Sequence, residues 1–102
     1  MSVHHLKCTH ECFEKMLYGV KNFDFRKNDR DFKAGDELVQ HELDEASPNS
    51  VVQYTGRTFT AKVMYVLYGP AFGVPDGFCI MSLYGGYLTL PDTVKKGDAQ
   101  GK

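Results

Sequence analysis

A helical apolar stripe stops at a glycine, and a strand begins four residues later. Phe13, Met16, Leu17 and Val20 recur at i, i+3, i+4 and i+7, the spacing that gathers side chains on one helix face. Thr9 is placed to cap the first turn, because its hydroxyl can accept from a free amide there. Glu11 sits near the positive end of the helix, and Gly19 can enter the left-handed conformation that stops it. These signals predict a helix over roughly residues 10–18. In the strand that follows, Phe23 and Phe25 fall on one face and Asn22, Asp24 and Arg26 on the other, since side chains alternate along a strand. An acid, a base and an amide on one face, with Lys21 at the entrance, are more than a fold requires. They mark the floor of a small polar pocket.

The rest of the chain reads as strands and turns. His4–Cys8 alternates enough to form a first short strand. Asn28-Asp29-Arg30-Asp31 and Ala34-Gly35-Asp36 carry turn chemistry, with Glu37–Leu43 a strand between that second turn and a polar loop over Asp44–Ser50. Tyr54-Thr55-Gly56 reads as a turn into the longest strand, Arg57–Tyr68, whose Thr, Val, Tyr and Phe favour extended backbone. There Phe59, Tyr65 and Leu67 are expected in the core. Gly69–Gly77 is a loop with Phe72 and Val74 folded inward. Phe78–Tyr84 is nearly all apolar, which predicts burial on both faces. Gly85-Gly86 ends it, and Tyr87–Leu90 adds a short edge strand. One early helix and five to six strands point to an α+β fold, a small barrel or half-barrel with a helix packed beside a cleft. Residues 1–90 are expected to form one domain, and 91–102 a flexible polar tail.

Composition bounds the function. With 42% hydrophobic and 25% charged residues in 102, the chain should fold as a single core. It shows no signal-peptide pattern and no apolar run of membrane-spanning length, so the expected address is the cytoplasm. Three cysteines cannot all pair, which reads as reduced thiols. A net charge of -1 excludes a general phosphate-neutralising surface. Residues 1–50 hold 7 Lys/Arg and 10 Asp/Glu, and residues 51–102 hold 5 and 3. Any nucleic acid would therefore bind through a local pocket or stripe.

The motifs carry a family likeness. In order they are His-x-Leu-Lys, a helix, Gly-x-Lys-x-x-[acid]-x-Arg, Asn-Asp-Arg-x-Phe-x-x-Gly-Asp, Tyr-Thr-Gly-Arg, Val-x-Tyr-Val-Leu-x-Gly-Pro-x-Phe-Gly, and a closing hydrophobic strand with Met-Ser. From Val3 to about Leu83 the sequence resembles an ASCH-like group of bacterial and phage proteins described as a domain of unknown function (DUF3850). The resemblance implies a PUA-like β-barrel and a role with RNA or modified nucleosides. Small ASCH members that hydrolyse the acetyl amide of N4-acetylcytidine use a Lys, a Thr and a Glu. Lys21 and Arg26 match their Gly-x-Lys-x-x-Thr-x-Arg by position. Asp24 stands where the Thr would be, and a carboxylate has no hydroxyl to form an acyl intermediate.

The leading expectation is an RNA- or modified-nucleoside-binding domain with no required cofactor. Lys21, Asp24 and Arg26 would form the floor, Lys7, Arg30 and Arg57 the rim, and Phe32, Tyr54 or Phe72 a stacking ring. Lys21→Ala and Arg26→Ala are then expected to abolish binding with the melting temperature nearly unchanged. One alternative is an amidohydrolase of acylated nucleosides, with Lys21 orienting a water and Asp24 as general base. Another is a phage-type module docking on a host protein. His5, Cys8, His10 and Cys12 are all possible zinc ligands. They span a strand, a turn and a helix start that would scatter them, so no metal is expected. Cys8 and Cys79 read as small buried residues.

Overall fold

The computed structural model describes residues 1–46 and 51–91. The element order is β1 (Val3–Cys8), α1 (His10–Leu17), β2 (Phe23–Lys27), β3 (Glu37–Leu43), β4 (Tyr54–Tyr68) and β5 (Phe78–Thr89). The strands form one sheet in the order β1-β3-β4-β5-β2. β1 and β3 are parallel, and every other pair is antiparallel. The result is a half-barrel with one short helix. Within the expected tail, residues beyond Pro91 lie outside the described residues, as do residues 47–50 of the polar loop.

The helix begins and ends as its sequence directs. The Thr9 hydroxyl accepts from the Cys12 amide at 3.3 Å. At the other end Gly19 has φ +77°, and two crossed bonds close the turn: Val20 N–H to Lys15 O at 2.8 Å and Gly19 N–H to Met16 O at 3.2 Å. This pairing satisfies carbonyls that a helix end otherwise leaves free. Val20 therefore leaves the helical stripe and is exposed. Phe13 and Met16 pack with Cys8, Phe59 and Ala61, burial that contributes roughly 2 kcal/mol per side chain. A second cluster joins Leu6, Phe32, Leu38, Val63, Val66, Cys79 and Met81, and Leu83 touches both.

Several expectations need correction. Tyr65 is exposed, not core, because an extra residue on β4 between Val63 and Tyr65 inverts the alternation beyond it. Tyr54–Gly56 already belongs to β4 and is not a turn. β5 pairs on both edges, but α1 covers only one side of the sheet, so Phe78 and Ile80 are half-buried and Ser82 is exposed. The chain reverses through Phe72, which lies in the left-handed region at φ 52°. Phe72 is 93% exposed, and only Val74 of that loop turns inward.

Gly85-Gly86 does not end β5 either. Thr60 pairs with Tyr87 and Lys62 with Tyr84, so two β5 residues oppose Ala61 in a bulge and the strand runs on through the expected sixth strand. A Cβ on Gly86 would lie 2.3 Å from Phe59 Cζ, at φ +123°. Gly86→Ala should cost about 2–4 kcal/mol from overpacking and backbone strain. The expected readout is a lower urea midpoint with an unchanged m-value. A midpoint equal to wild type would mean that Phe59 moves aside freely.

Candidate functional site

The open edges of the half-barrel, β1 and β2, are joined by guanidinium groups instead of strand hydrogen bonds. Arg26 Nη2 donates to Lys7 O at 2.8 Å, and Arg30 Nη1 donates to His5 O at 2.7 Å. Three adjoining clefts share Lys7 along this seam. One, of about 250 Å³, lies between Cys12, Lys21, Asp24, Phe25 and Arg26. The next, of about 350 Å³, passes Arg26, Lys27, Arg30 and Phe78. The third, of about 200 Å³, reaches His5, Arg30, His41 and Tyr54. Four cationic side chains line the middle cleft against the single carboxylate of Asp29. A neutral protein thus concentrates positive charge in a groove, which attracts anions locally.

The floor of the first cleft is a buried polar cluster. Asp24 is 4% exposed. Its Oδ2 accepts from Arg26 Nε at 2.6 Å and from Gln40 Nε2 at 3.0 Å. Gln40 is fully buried and its Oε1 accepts from Arg26 Nη2 at 3.2 Å. Among the described residues Asp24 Oδ1 takes no hydrogen bond. A desolvated carboxylate oxygen with an open lone pair is an acceptor awaiting a donor. Lys21 stands at the wall, its Nζ 3.5 Å from Cys12 Sγ and 5.5 Å from the centre of the Phe23 ring.

The sequence-predicted residues fall into two groups. Lys7, Lys21, Asp24, Arg26 and Arg30 line the seam. Arg57 and Phe72 do not. Arg57 donates to Glu42 Oε1 and Oε2 at 2.8 and 2.9 Å and to Glu14 Oε2 at 2.8 Å, and its guanidinium lies 4.9 Å from the Phe13 ring centre. It pins helix to sheet. Arg26 also has a structural part, bonding Asp24, Gln40 and the Lys7 carbonyl, so its loss is now expected to cost stability as well as binding. Of the three expected stacking rings, Phe32 is in the core, Phe72 points to solvent, and Tyr54 lines the third cleft. Phe25, read only as one face of a strand, borders two clefts and stacks on Phe78 at 5.4 Å.

Sequence reasoning also missed Gln40. Leu38, Gln40 and Glu42 all point inward from β3, and the signal was two polar residues sharing one face with a leucine.

The residue models of one family fit this chain. A domain of unknown function (DUF3850) matches residues 3–83. The chain belongs to the DUF3850 family. No curated protein matches it. For this DUF3850 protein the seam and its polar floor fall within the matched residues.

The four possible zinc ligands, His5, Cys8, His10 and Cys12, are not gathered at one point. His5 Nδ1 lies 2.9 Å from His41 Nε2, and His10 Nδ1 lies 2.6 Å from Glu42 Oε2. Cys8 is buried, which pushes its thiol up to about 12, and Cys12 faces Lys21. His10, Glu14 and Glu42 do gather their ligand atoms within 4.8 Å. Arg57 already bonds both carboxylates, so a guanidinium supplies the positive charge there. No helix among the described residues is long and apolar enough to cross a membrane.

Proposed function

We propose that this protein is a cytoplasmic, PUA-like and ASCH-type domain that binds RNA or a modified nucleoside in the cleft between β1, α1 and β2. The observation that carries this reading is buried Asp24 lining the cleft, whose Oδ1 takes no hydrogen bond among the described residues. An exocyclic amine of a base would donate to it. Lys21 would meet a carbonyl or phosphate, Phe25 would offer a ring face for stacking, and Lys7 and Arg30 would meet backbone oxygens along the groove. Hydrolysis is the weaker reading, since Asp24 Oδ2 is already committed to Arg26 and Gln40, a poor arrangement for a general base. A host-protein docking role draws support from one feature: Phe23, Phe25, Tyr65 and Tyr84 are exposed on the sheet.

A thermal-shift screen of nucleosides, modified nucleosides and short RNAs tests the binding reading. Lys21→Ala should unfold within about 0.5 kcal/mol of wild type, because its side chain is only half-buried and makes a long bond to a sulfur and a distant ring contact. It should also lose the ligand-induced rise in Tm that mass action gives the wild type. If no compound in the screen raises the wild-type Tm, or if Lys21→Ala keeps the full rise, the nucleoside reading fails.

A further inference from the structure

The outer face of β2, β5 and β4 gathers aromatic rings in rows set by the strand register. Phe23 pairs with Ser82 and Ser82 with Tyr65, and one row along Phe25 pairs with Ile80 and Ile80 with Leu67. Tyr84 pairs with Lys62. Paired residues of neighbouring strands share a face, so Phe23, Phe25, Tyr65 and Tyr84 stand together. Their rings are between 44% and 69% exposed, which leaves ring surface free for a partner. The three strands carry a single carboxylate, Asp24, and it is buried on the opposite side. The charged residues on the outer side are Lys27 and Lys62, both exposed, and Lys21 Nζ lies 5.5 Å from the centre of the Phe23 ring. At the β2 edge the stacked pair Phe25 and Phe78 also borders the middle cleft with Arg26 and Arg30.

We propose that this face is a second binding surface, a stacking platform for single-stranded nucleic acid of any sequence. Bases stack on Tyr84, Tyr65, Phe23 and Phe25, and phosphates meet Lys62, Lys21 and Lys27 before the strand turns over Phe25 towards the cationic seam. Charge selects this occupant. Rings interleaved with cations and no outward carboxylate suit a polyanion that carries rings of its own. A second copy fits poorly, because a two-fold contact sets a surface against itself, here cation against cation. The four rings also offer only roughly 450 Å², at about 200 Å² per whole side chain, short of the ~800 Å² per partner of a stable interface. A flat anionic membrane would meet the rings but not the cleft beyond Phe25, which a chain can enter. Spacing selects the single strand. Phe23 and Phe25 are about 7 Å apart along β2, roughly twice the rise between stacked bases of one strand, so bases that use both rings must leave their own stack. The platform does not depend on the nucleoside reading, since Tyr65, Tyr84 and Lys62 line none of the three clefts.

The experiment titrates the full chain into labelled oligouridine and oligothymidine of about twelve nucleotides, followed by fluorescence anisotropy at low salt. Both strands should bind with similar affinity, and a duplex of the same length about tenfold more weakly. Replacing two rings together, Tyr65→Thr with Tyr84→Thr, should weaken binding about tenfold or more and leave the fold intact, since threonine also favours strands. As a second variant, Lys62→Met should flatten the dependence of log affinity on log salt by about 0.7. Both variants should keep any nucleoside-induced rise in Tm, so failure of the cleft reading and failure of the platform are separate results. The proposal is overturned if neither strand binds the wild type, if the double variant binds as tightly as wild type, or if the duplex binds as well as the single strands. It is also overturned if the ring substitutions instead abolish binding to anionic phospholipid vesicles or self-association in sedimentation, because the face would then belong to a membrane or to a second copy.

Discussion

Arg26→Ala should lower the unfolding free energy by about 3–5 kcal/mol, the cost of leaving a buried charge without its partner. The Tm should fall by more than about 10 °C in a domain of this size. Three connections go at once: the bond to Asp24 Oδ2 at 2.6 Å, the bond to Gln40 Oε1, and the clip to Lys7 O that holds the β1 edge against β2. Asp24 would keep only Gln40 as a donor among the described residues. Removing both charges separates stability from recognition. Asp24→Leu with Arg26→Met should recover much of the loss, because well-packed apolar groups often replace a buried ion pair at little cost. The same double variant should remain unable to bind whatever ligand Asp24 reads. Calorimetry on the two single variants and the double variant gives the coupling energy directly. A fall in Tm below about 2 °C for Arg26→Ala would show that water reaches and solvates Asp24 without it.

That coupling explains what could be read from the sequence and what could not. Local signals were legible because each needs only neighbouring residues. Thr9 caps the helix, Gly19 ends it, and Phe23 and Phe25 take the face opposite Asp24 and Arg26. The direction of a face was harder. On β3, apolar Val39 and Leu43 share one side, yet Leu38, Gln40 and Glu42 are the buried set. Their polar groups are tolerated inside because Arg26 and Arg57 reach them from β2 and β4. Such partners are distant in sequence, so hydrophobic alternation alone points to the wrong side. Bulges cause the same failure more abruptly. One extra residue before Tyr65 turns it outward, and one at Gly85-Gly86 lets β5 continue where two glycines read as an end. The seam residues Lys7, Lys21, Asp24, Arg26 and Arg30 were legible as chemistry. Arg57 was legible as a cation, but its two acidic partners appear only when α1 docks on the sheet.

Those partners make Glu42 the group that should dominate acid unfolding. Its side chain is 2% exposed and accepts from Arg57, His10 and Thr55. The Arg57 hydrogen bonds, aided by His10 and Thr55 against the cost of burial, hold its carboxyl at about 2, against an ordinary 4.5. A carboxyl depressed in the folded state contributes its full stability above its unfolded value and loses it as pH falls through the folded one. The loss should therefore begin near pH 4.5 and run towards pH 2, with a size on the order of 3 kcal/mol. Asp36 acts in the same direction: burial works against its ionised form, but bonds from Ser2, His4 and Lys33 hold it below its ordinary value. His10 acts oppositely, since the Glu42 bond raises its value and its contribution fades as pH rises through that elevated value. Glu42→Gln keeps the shape of the side chain and removes the charge. Urea unfolding at pH 7, 5 and 3 should show the variant clearly destabilised at pH 7. The gap should narrow at pH 3 as wild-type Glu42 becomes easier to protonate on unfolding. Parallel curves at all three pH values would mean that Arg57 gains no more from Glu42 when folded than water offers both groups when unfolded.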